Sequence, residues 1–184
     1  MSHVVDAPAT GGSGVSAAGD RFAYTGRSDR RLAEAQAALG TPLAHPVRSD
    51  VTDAGVIDAL RDQVADRLGS IGHLFVNQGI AEFQTLEEVR EESWDRIFDV
   101  NAKGAFFTVQ CLAPLLSEGG AIVFTTVSND QIFPGLSAYS AAKEAVAAFS
   151  KVLAAAALYL AVEATFTTGV ELTVDGGFGQ GLGA

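Results

Sequence analysis

Residues 21–48, RFAYTGRSDRRLAEAQAALGTPLAHPVR, contain two strand-like runs on either side of a helical pattern. The first six of these residues form a short apolar run that predicts a β-strand. The segment after it predicts a helix that begins at Ser28 or Asp29 and ends at Gly40. A second strand, LAHPVR, is weaker because it contains a proline. A strand, a helix and another strand in succession are typical of a parallel sheet with a crossover helix.

The same alternation continues through the rest of the chain. The helical pattern DAGVIDALRDQVADRLG precedes the strand-like run 73–79, and a long helical pattern over 94–116 precedes the run 121–128. The strand runs lack a clean polar alternation, so we expect helices to cover both faces of the sheet. The sequence therefore predicts a doubly wound, Rossmann-like α/β fold with three layers, α/β/α, in a single domain over 1–184.

Composition excludes several classes of partner. Twelve Lys and Arg residues against 22 Asp and Glu residues give a formal net charge of -10. A surface this acidic repels phosphate backbones and anionic lipids, so we expect neither nucleic acid nor membrane as a partner. The longest uncharged stretch near the C-terminus, 152–162, is too short to span a bilayer.

The cysteine and histidine content argues against disulfides and metals. Cys111 is the single cysteine and lies in an apolar run, which favours a buried, inert thiol in a reducing compartment. The three histidines, His3, His45 and His73, are isolated and lack ligand spacing, so we expect no metal site. The first ten residues lack the features of a signal peptide, and we expect the protein to be cytoplasmic.

Polar and glycine residues follow the predicted strands, at the sheet edge where doubly wound folds bind ligands. The first such segment, TGGSGV, contains Gly11, Ser13 and Gly14. Glycines here let the backbone approach a pyrophosphate, although a glycine-rich surface turn has the same composition. These three residues are candidate cofactor ligands.

Two further segments bear on the adenosine half of a nucleotide. Arg27 and Ser28 follow the second strand, where an arginine can pair with a 2′-phosphate; a solvated arginine at a helix start is the alternative. Asp50 and Val51 follow the third strand, and Asp50 could accept a hydrogen bond from an adenine amino group or cap the next helix, which Asp53 could equally do. An arginine without an acidic competitor favours NADP(H) over NAD(H).

Other polar residues are candidates for the chemistry itself. Asn77 and Gly79 follow the fourth strand, and the hydroxyl cluster TTVS, residues 125–128, follows the fifth. Asn101 lies inside an apolar helical pattern, where an amide predicts a kink or a buried hydrogen-bonding role.

Tyr139 and Lys143 are four residues apart in a helical pattern and therefore lie on one face of the helix. Many helices contain such a pair by chance. An ammonium near the phenol favours the phenolate, so the sequence predicts a lowered pKa for Tyr139 and a role in proton transfer.

The motifs TGGSG, DVTD, VNQG, VNAKGAFF, YSAAK and TTGVELTVDGG occur in the order found in the short-chain dehydrogenase/reductase family, which the chain resembles from about Thr10 to Gly177. Within that family, the separation of Tyr and Lys seen in YSAAK implies interconversion of a carbonyl and an alcohol. The resemblance implies that Tyr139 transfers the proton, Lys143 binds the nicotinamide ribose and Asn101 continues a proton relay. Thr126 occupies the position of the family's serine, with Ser128 as the alternative.

The resemblance also implies an NADP(H) cofactor, a small carbonyl or alcohol substrate, and a dimer or tetramer formed through the helices with Asn101 and Tyr139. Two rival functions stay open: a non-catalytic nucleotide-binding or assembly protein, and a dehydratase or epimerase on the same fold. Compared with the family pattern, segments are missing near 14–19, where too few residues remain for a helix, and near 156–157, where two helices run together. We therefore expect the physical protein to be longer than this sequence.

Overall fold

The computed structural model describes residues 2–5, 21–127 and 134–160, with side chains for 21–127 and 134–153. The chain divides into two compact units, one formed by residues 1–78 and 103–125 and the other by 79–102 and 126–184. The single domain expected from the sequence stays a prediction, and each unit is described by itself.

The first unit contains a five-stranded sheet in the order β3-β2-β1-β4-β5. This is the strand order 3-2-1-4-5 of doubly wound dinucleotide-binding folds. β2 pairs with β3 in parallel, and β4 with β5, as the alternation of strands and helices predicts. β3 lies at an edge of the sheet, where its proline is tolerated. The strands are β1 Ser2–Val5, β2 Phe22–Gly26, β3 Ala44–Arg48, β4 Ile71–Val76 and β5 Leu116–Phe124.

β1 departs from the predicted parallel arrangement, because it runs antiparallel to both of its neighbours, β2 and β4. The physical reason lies in the length of the connection. A parallel neighbour requires a crossover of a dozen or more residues, usually with a helix, whereas an antiparallel neighbour does not. The sequence leaves too few residues after the glycine motif for a crossover helix, and an antiparallel β1 does not need one.

Two helices of the first unit begin and end where the sequence predicts. The helix α1, Asp29–Leu39, has Ser28 as its N-cap, which accepts a hydrogen bond from the Arg31 backbone at 3.3 Å. Gly40 ends α1 in the left-handed conformation, with φ at 60°. The helix α2, Ala54–Leu68, is capped by Asp53, whose carboxylate accepts from the backbone N–H groups of Gly55 and Val56.

The single long helix predicted over 94–116 is wrong. The segment instead forms α3 Glu91–Phe98, a π-helical turn Asp99–Lys103, α4 Gly104–Leu112 and a 3₁₀ turn Ala113–Leu115, and Leu116 already belongs to β5. The interruption contains Asn101, whose side-chain amide donates to the Ile97 carbonyl at 2.8 Å. A side chain that bonds to a helix carbonyl one turn back disturbs the regular hydrogen-bond ladder, and π turns of this kind are frequent at functional sites.

The second unit is built on α3 and on α5, Ser137–Leu160. Ile97 of α3 packs with Ala138 and Ala142 of α5 in a buried apolar cluster. The backbone of α5 continues through positions 156–157, where the sequence predicts that two helices run together. Positions 14–19 lie outside the described residues.

Candidate active site

Asn101 locks the backbone of the segment that follows β4. Its side chain is fully buried, and its amide nitrogen donates to the carbonyl oxygens of Ile80 and Ile97, each at 2.8 Å. Its amide oxygen accepts from the Ile80 backbone N–H at 3.2 Å. One buried amide thus satisfies both backbone polar groups of Ile80. The kink and the buried hydrogen-bonding role predicted for Asn101 are both present.

Gly79 lies against Asn101 and Lys143 at once. A Cβ on Gly79 would stand 2.8 Å from the Asn101 Oδ1 atom and 3.3 Å from the Lys143 Nζ atom. The residue is exposed on its other side. Only a glycine lets the chain pass between solvent and these two polar groups without a clash. Three residues that are far apart in the sequence, Gly79, Asn101 and Lys143, therefore meet at one point.

Lys143 is buried in the protein, with 3% of its surface exposed. Burial lowers the pKa of its ammonium from 10.5 to about 8, because removal from water penalises the charged form. A lysine with this pKa is still largely protonated at neutral pH but gives up its proton more readily than a surface lysine.

Tyr139 lies one helical turn before Lys143 on α5 and is half-buried. It packs against the apolar cluster of Ile97, Ala138 and Ala142. Burial raises the pKa of its hydroxyl above 10.0, so the lowered pKa predicted from the neighbouring lysine is wrong for this structure. The physical reason is desolvation, because burial penalises the charged phenolate.

Thr126 lies in an irregular segment, residues 125–127, directly after β5, and is half-buried. This is the position that the sequence predicts for the hydroxyl-bearing residue. Ser128, the alternative, lies outside the described residues. Thr126 therefore stays the predicted hydroxyl-bearing residue, with Ser128 as the alternative.

Asn77 in the first unit is paired with Thr125, which the sequence marks only as part of the hydroxyl cluster 125–128. The Thr125 hydroxyl donates to the Asn77 side-chain oxygen at 2.7 Å, and the Thr125 backbone N–H donates to the Val76 carbonyl at 3.1 Å. These bonds continue the parallel pairing of β4 and β5 by one residue. The signal was present in the sequence, because Thr125 opens the hydroxyl cluster at the end of its strand.

The predicted adenosine ligands lie at the carboxyl ends of β2 and β3. Asp50 accepts from both the backbone N–H and the hydroxyl of Thr52, at 3.0 and 2.8 Å. Burial would raise the pKa of the Asp50 carboxyl, but these two hydrogen bonds and the nearby Arg27 guanidinium hold it below its ordinary value. Asp53 caps α2, so Asp50 is not needed as a cap. Ser28 already caps α1 with its hydroxyl, and Val51 is half-buried.

Ser49, which the sequence did not single out, lies beside Asp50 and is 3% exposed. Its backbone N–H donates to the Gly26 carbonyl at 3.0 Å, which joins the ends of β2 and β3. Its buried hydroxyl has no hydrogen-bond partner within the part of the chain that the structure describes. Buried hydroxyls are nearly always hydrogen-bonded, so this atom suits a polar ligand at the strand ends. Gly11, Ser13 and Gly14 lie outside the described residues.

Comparison with known proteins identifies the family. A model of the short chain dehydrogenase family matches residues 13–173. The chain belongs to that family. It is 34% identical over 158 residues to the "Probable galactose dehydrogenase GalD" of Rhizobium meliloti, covering 78% of this chain and 62% of that protein. It is 38% identical over 109 residues to an uncharacterized oxidoreductase of Methylorubrum extorquens, covering 59% of this chain and 44% of that protein. The chain therefore spans about half the length of these curated relatives.

Solved structures confirm the predicted fold class, the three-layer doubly wound α/β/α arrangement. A short chain dehydrogenase from Mycobacterium smegmatis superposes with a TM-score of 0.68 at 26% identity, over 74% of this chain and 60% of that one. A putative short-chain alcohol dehydrogenase from Sinorhizobium meliloti gives a TM-score of 0.66 at 28% identity, over 73% of this chain and 55% of that one.

The described residues contain neither a cluster of metal ligands nor a membrane-spanning helix. No three His, Cys, Asp or Glu side chains within 21–127 and 134–153 come together as a metal site would require. No helix in the described part of the chain has the length and apolar character needed to cross a membrane.

Proposed function

We propose that the protein is an NADP(H)-dependent oxidoreductase that interconverts a ketone or aldehyde with the corresponding alcohol. One observation carries the proposal: Asn101 and Lys143 meet at Gly79, and Tyr139 lies one turn before Lys143 on the same helix. Membership of the short chain dehydrogenase family supports the same chemistry. The activity belongs to the proposal, because the chain spans only part of its relatives.

Each of the two units contains one feature that fits a part of a nicotinamide dinucleotide. Gly79 leaves an exposed backbone without a side chain beside Lys143, and Ser49 has a buried hydroxyl without a partner among the described residues. Lys143 and Tyr139 would hold the nicotinamide ribose. Gly79 and Asn77 would lie against the nicotinamide half, and Asp50 with Val51 against the adenine. The remaining expected cofactor ligands are Gly11, Ser13, Gly14, Arg27 and Ser28. When bound, the cofactor supplies or accepts the hydride.

The acid–base step falls to Tyr139. In the reducing direction its hydroxyl donates a proton to the substrate oxygen while hydride adds to the carbonyl carbon, which yields the alcohol. The phenolate that remains is stabilised by the Lys143 ammonium, which is mostly protonated at neutral pH. Thr126 would orient the substrate oxygen with its hydroxyl. Asn101 holds the backbone of residue 80 and would position the relay that returns a proton to Tyr139.

Cofactor choice would follow from Arg27. Its side chain is exposed at the end of β2, and its charge lowers the pKa of Asp50, so it acts on the adenosine end of the proposed site. A guanidinium there favours the 2′-phosphate of NADP(H) by charge-assisted hydrogen bonds. We propose NADP(H) over NAD(H) on this ground.

The protein would act in the cytoplasm as a dimer or tetramer. α4 presents two phenylalanines, Phe106 and Phe107, whose rings pack edge to face and which are 38% and 41% exposed. Exposed aromatic pairs on a helix favour association with another copy. Light scattering of the purified protein measures the assembly, and a monomer at micromolar concentration would contradict it.

A non-catalytic nucleotide-binding protein is the second candidate. The observations that favour it are Thr126 in the position of the family's serine and the raised pKa of Tyr139. Nicotinamide absorbance, followed with NADPH and a set of ketones and aldehydes, separates the two candidates. Consumption of NADPH that depends on the carbonyl compound supports the oxidoreductase, whereas tight binding without consumption supports the second candidate.

A further inference from the structure

We propose that Arg48 and Asp29 form a second determinant of cofactor choice: Arg48 is a further cation for the 2′-phosphate, and Asp29 competes with the phosphate for it. The inference rests on the proposed function, which assigns the 2′-phosphate to Arg27. It extends that function by a pair of residues that the family motifs do not include, and it implies a moderate preference for NADP(H) rather than an absolute one.

The position of Arg48 follows from the register of the sheet. Arg48 is the last residue of β3 and is paired with Gly26, the last residue of β2. Arg27 follows Gly26 directly. Neighbouring strands are about 4.8 Å apart, so Arg27 and Arg48 lie at the carboxyl ends of adjacent strands. The hydrogen bond from the Ser49 backbone to the Gly26 carbonyl, at 3.0 Å, holds the two strand ends together.

Arg48 also faces a carboxylate, that of Asp29, at this edge of the sheet. Arg48 Nη1 lies 3.8 Å from Asp29 Oδ2, and the two side chains are 71% and 76% exposed. An exposed ion pair at this distance contributes little, and a dianionic phosphate offers shorter, charge-assisted bonds. Arg48 can therefore exchange Asp29 for a phosphate at small cost. Asp29 remains beside the site as a like charge, which weakens phosphate binding.

A third observation points to a ligand at the same strand ends. Ser49 directly follows Arg48 and is 3% exposed. Its hydroxyl has no hydrogen-bond partner in the described ranges. Asp50, the next residue, keeps a lowered pKa through Thr52 and Arg27 despite the opposing effect of burial. Exposed arginines and an unsatisfied buried hydroxyl at the same strand ends are suited to a phosphorylated ribose.

The experiment measures binding of 2′,5′-ADP and of 5′-AMP to the full chain by calorimetry, so that no turnover is needed. Arg48→Gln should weaken 2′,5′-ADP about tenfold, the effect of one lost charge-assisted contact, and change 5′-AMP less than twofold. Asp29→Asn should strengthen 2′,5′-ADP several-fold and leave 5′-AMP unchanged. Arg30→Gln is the matched control and should change neither affinity. Arg30 is exposed on α1, the helix that contains Asp29, and pairs with Glu34.

The outcomes separate this inference from the proposed function. If Arg48→Gln leaves 2′,5′-ADP affinity unchanged, or weakens both ligands equally, Arg48 is not a determinant, whatever the activity of the enzyme. If wild-type protein binds neither ligand, the inference and the assigned cofactor are both wrong. If the predicted affinity changes occur in a protein that never consumes NADPH, the inference is supported and the oxidoreductase proposal is contradicted.

Discussion

Oδ1 of Asn101 lies 2.8 Å from the position that a Cβ would occupy on Gly79. The contact joins the segment after β4 to the π-helical turn between α3 and α4. The Asn101 oxygen is held there by the Ile80 backbone N–H, and its amide nitrogen by two carbonyl groups. The relationship explains both why residue 79 is a glycine and why an amide interrupts an otherwise apolar helix.

Gly79→Ala should destabilise the protein by about 1–3 kcal/mol, the usual cost of an added methyl group in a packed site. Real Cβ atoms essentially never approach another heavy atom as closely as the 2.8 Å required here. The Lys143 side chain is long and can move, but Asn101 is short and makes three hydrogen bonds, so it cannot move without losing at least one. Chemical denaturation measures the loss of stability.

Gly55→Ala is the matched control for that substitution. Gly55 lies in the first turn of α2, and a Cβ there would stand 3.4 Å from the Asp53 carboxylate, an ordinary contact. Alanine has the higher helix propensity, so this change should be neutral or stabilise by up to about 1 kcal/mol. Equal effects of the two substitutions would contradict the packing assigned to Gly79.

Lys143 should make stability depend on pH in the alkaline range. Its pKa is about 8 in the folded protein against 10.5 for the ordinary side chain, so the unfolded chain binds more protons between these values. The contribution of Lys143 to the free energy of unfolding is therefore lowest below pH 8. It rises with pH between about 8 and 10.5 and levels off above that range. Relative to Lys143→Met, wild-type protein should gain up to roughly 3 kcal/mol across this range.

The measurement is a series of denaturation curves at several pH values for wild type and Lys143→Met. Lys151 is an exposed lysine on the same helix, and Lys151→Met serves as the control for the loss of an ammonium group from α5. A difference in stability between wild type and Lys143→Met that stays constant with pH would show that burial does not lower the pKa of Lys143.

Thr126 should act through its hydroxyl. Thr126→Ser keeps that group, removes a methyl and should retain or raise activity. Thr126→Ala and the isosteric Thr126→Val lack the hydroxyl and should both lose about 10²-fold in kcat, the scale of one lost polarising donor. If all four proteins turn over equally, the role belongs to Ser128 or to no residue.

Much of the fold could be predicted because its signals are local. The N-cap serine and the left-handed Gly40 mark the ends of α1, and Asp53 marks the start of α2, since each satisfies backbone groups that a helix terminus leaves unpaired. The parallel pairs β2–β3 and β4–β5 follow from strand runs separated by helices.

Other features depend on contacts that the sequence does not display. The direction of β1 is set by pairing with two strands at once, and periodicity carries no information on strand direction. The split of the predicted long helix was signalled by Asn101, but its partner Ile80 lies 21 residues earlier in the chain. The pKa of Tyr139 depends on burial against α3, which spacing relative to Lys143 does not reveal.

The candidate site, like the fold, could be predicted from the sequence only in part. Motif spacing placed Tyr139 and Lys143 on one helix face and pointed to Asn101 and Gly79, but their meeting at a single point required the structure. Ser49 was missed and Thr125 was given no role of its own, because a serine or threonine at a strand end is common and only burial and bonding make these two distinctive.

Tyr139→Phe tests whether Tyr139 transfers a proton during carbonyl reduction. The substitution removes one hydroxyl and leaves the ring packed against the apolar cluster of α3 and α5. NADPH consumption with the best carbonyl substrate and NADPH affinity are measured for both proteins. We predict that the variant loses at least about 10²-fold in kcat while its affinity for NADPH stays within twofold. A variant that keeps most of its activity would show that Tyr139 does not transfer the proton.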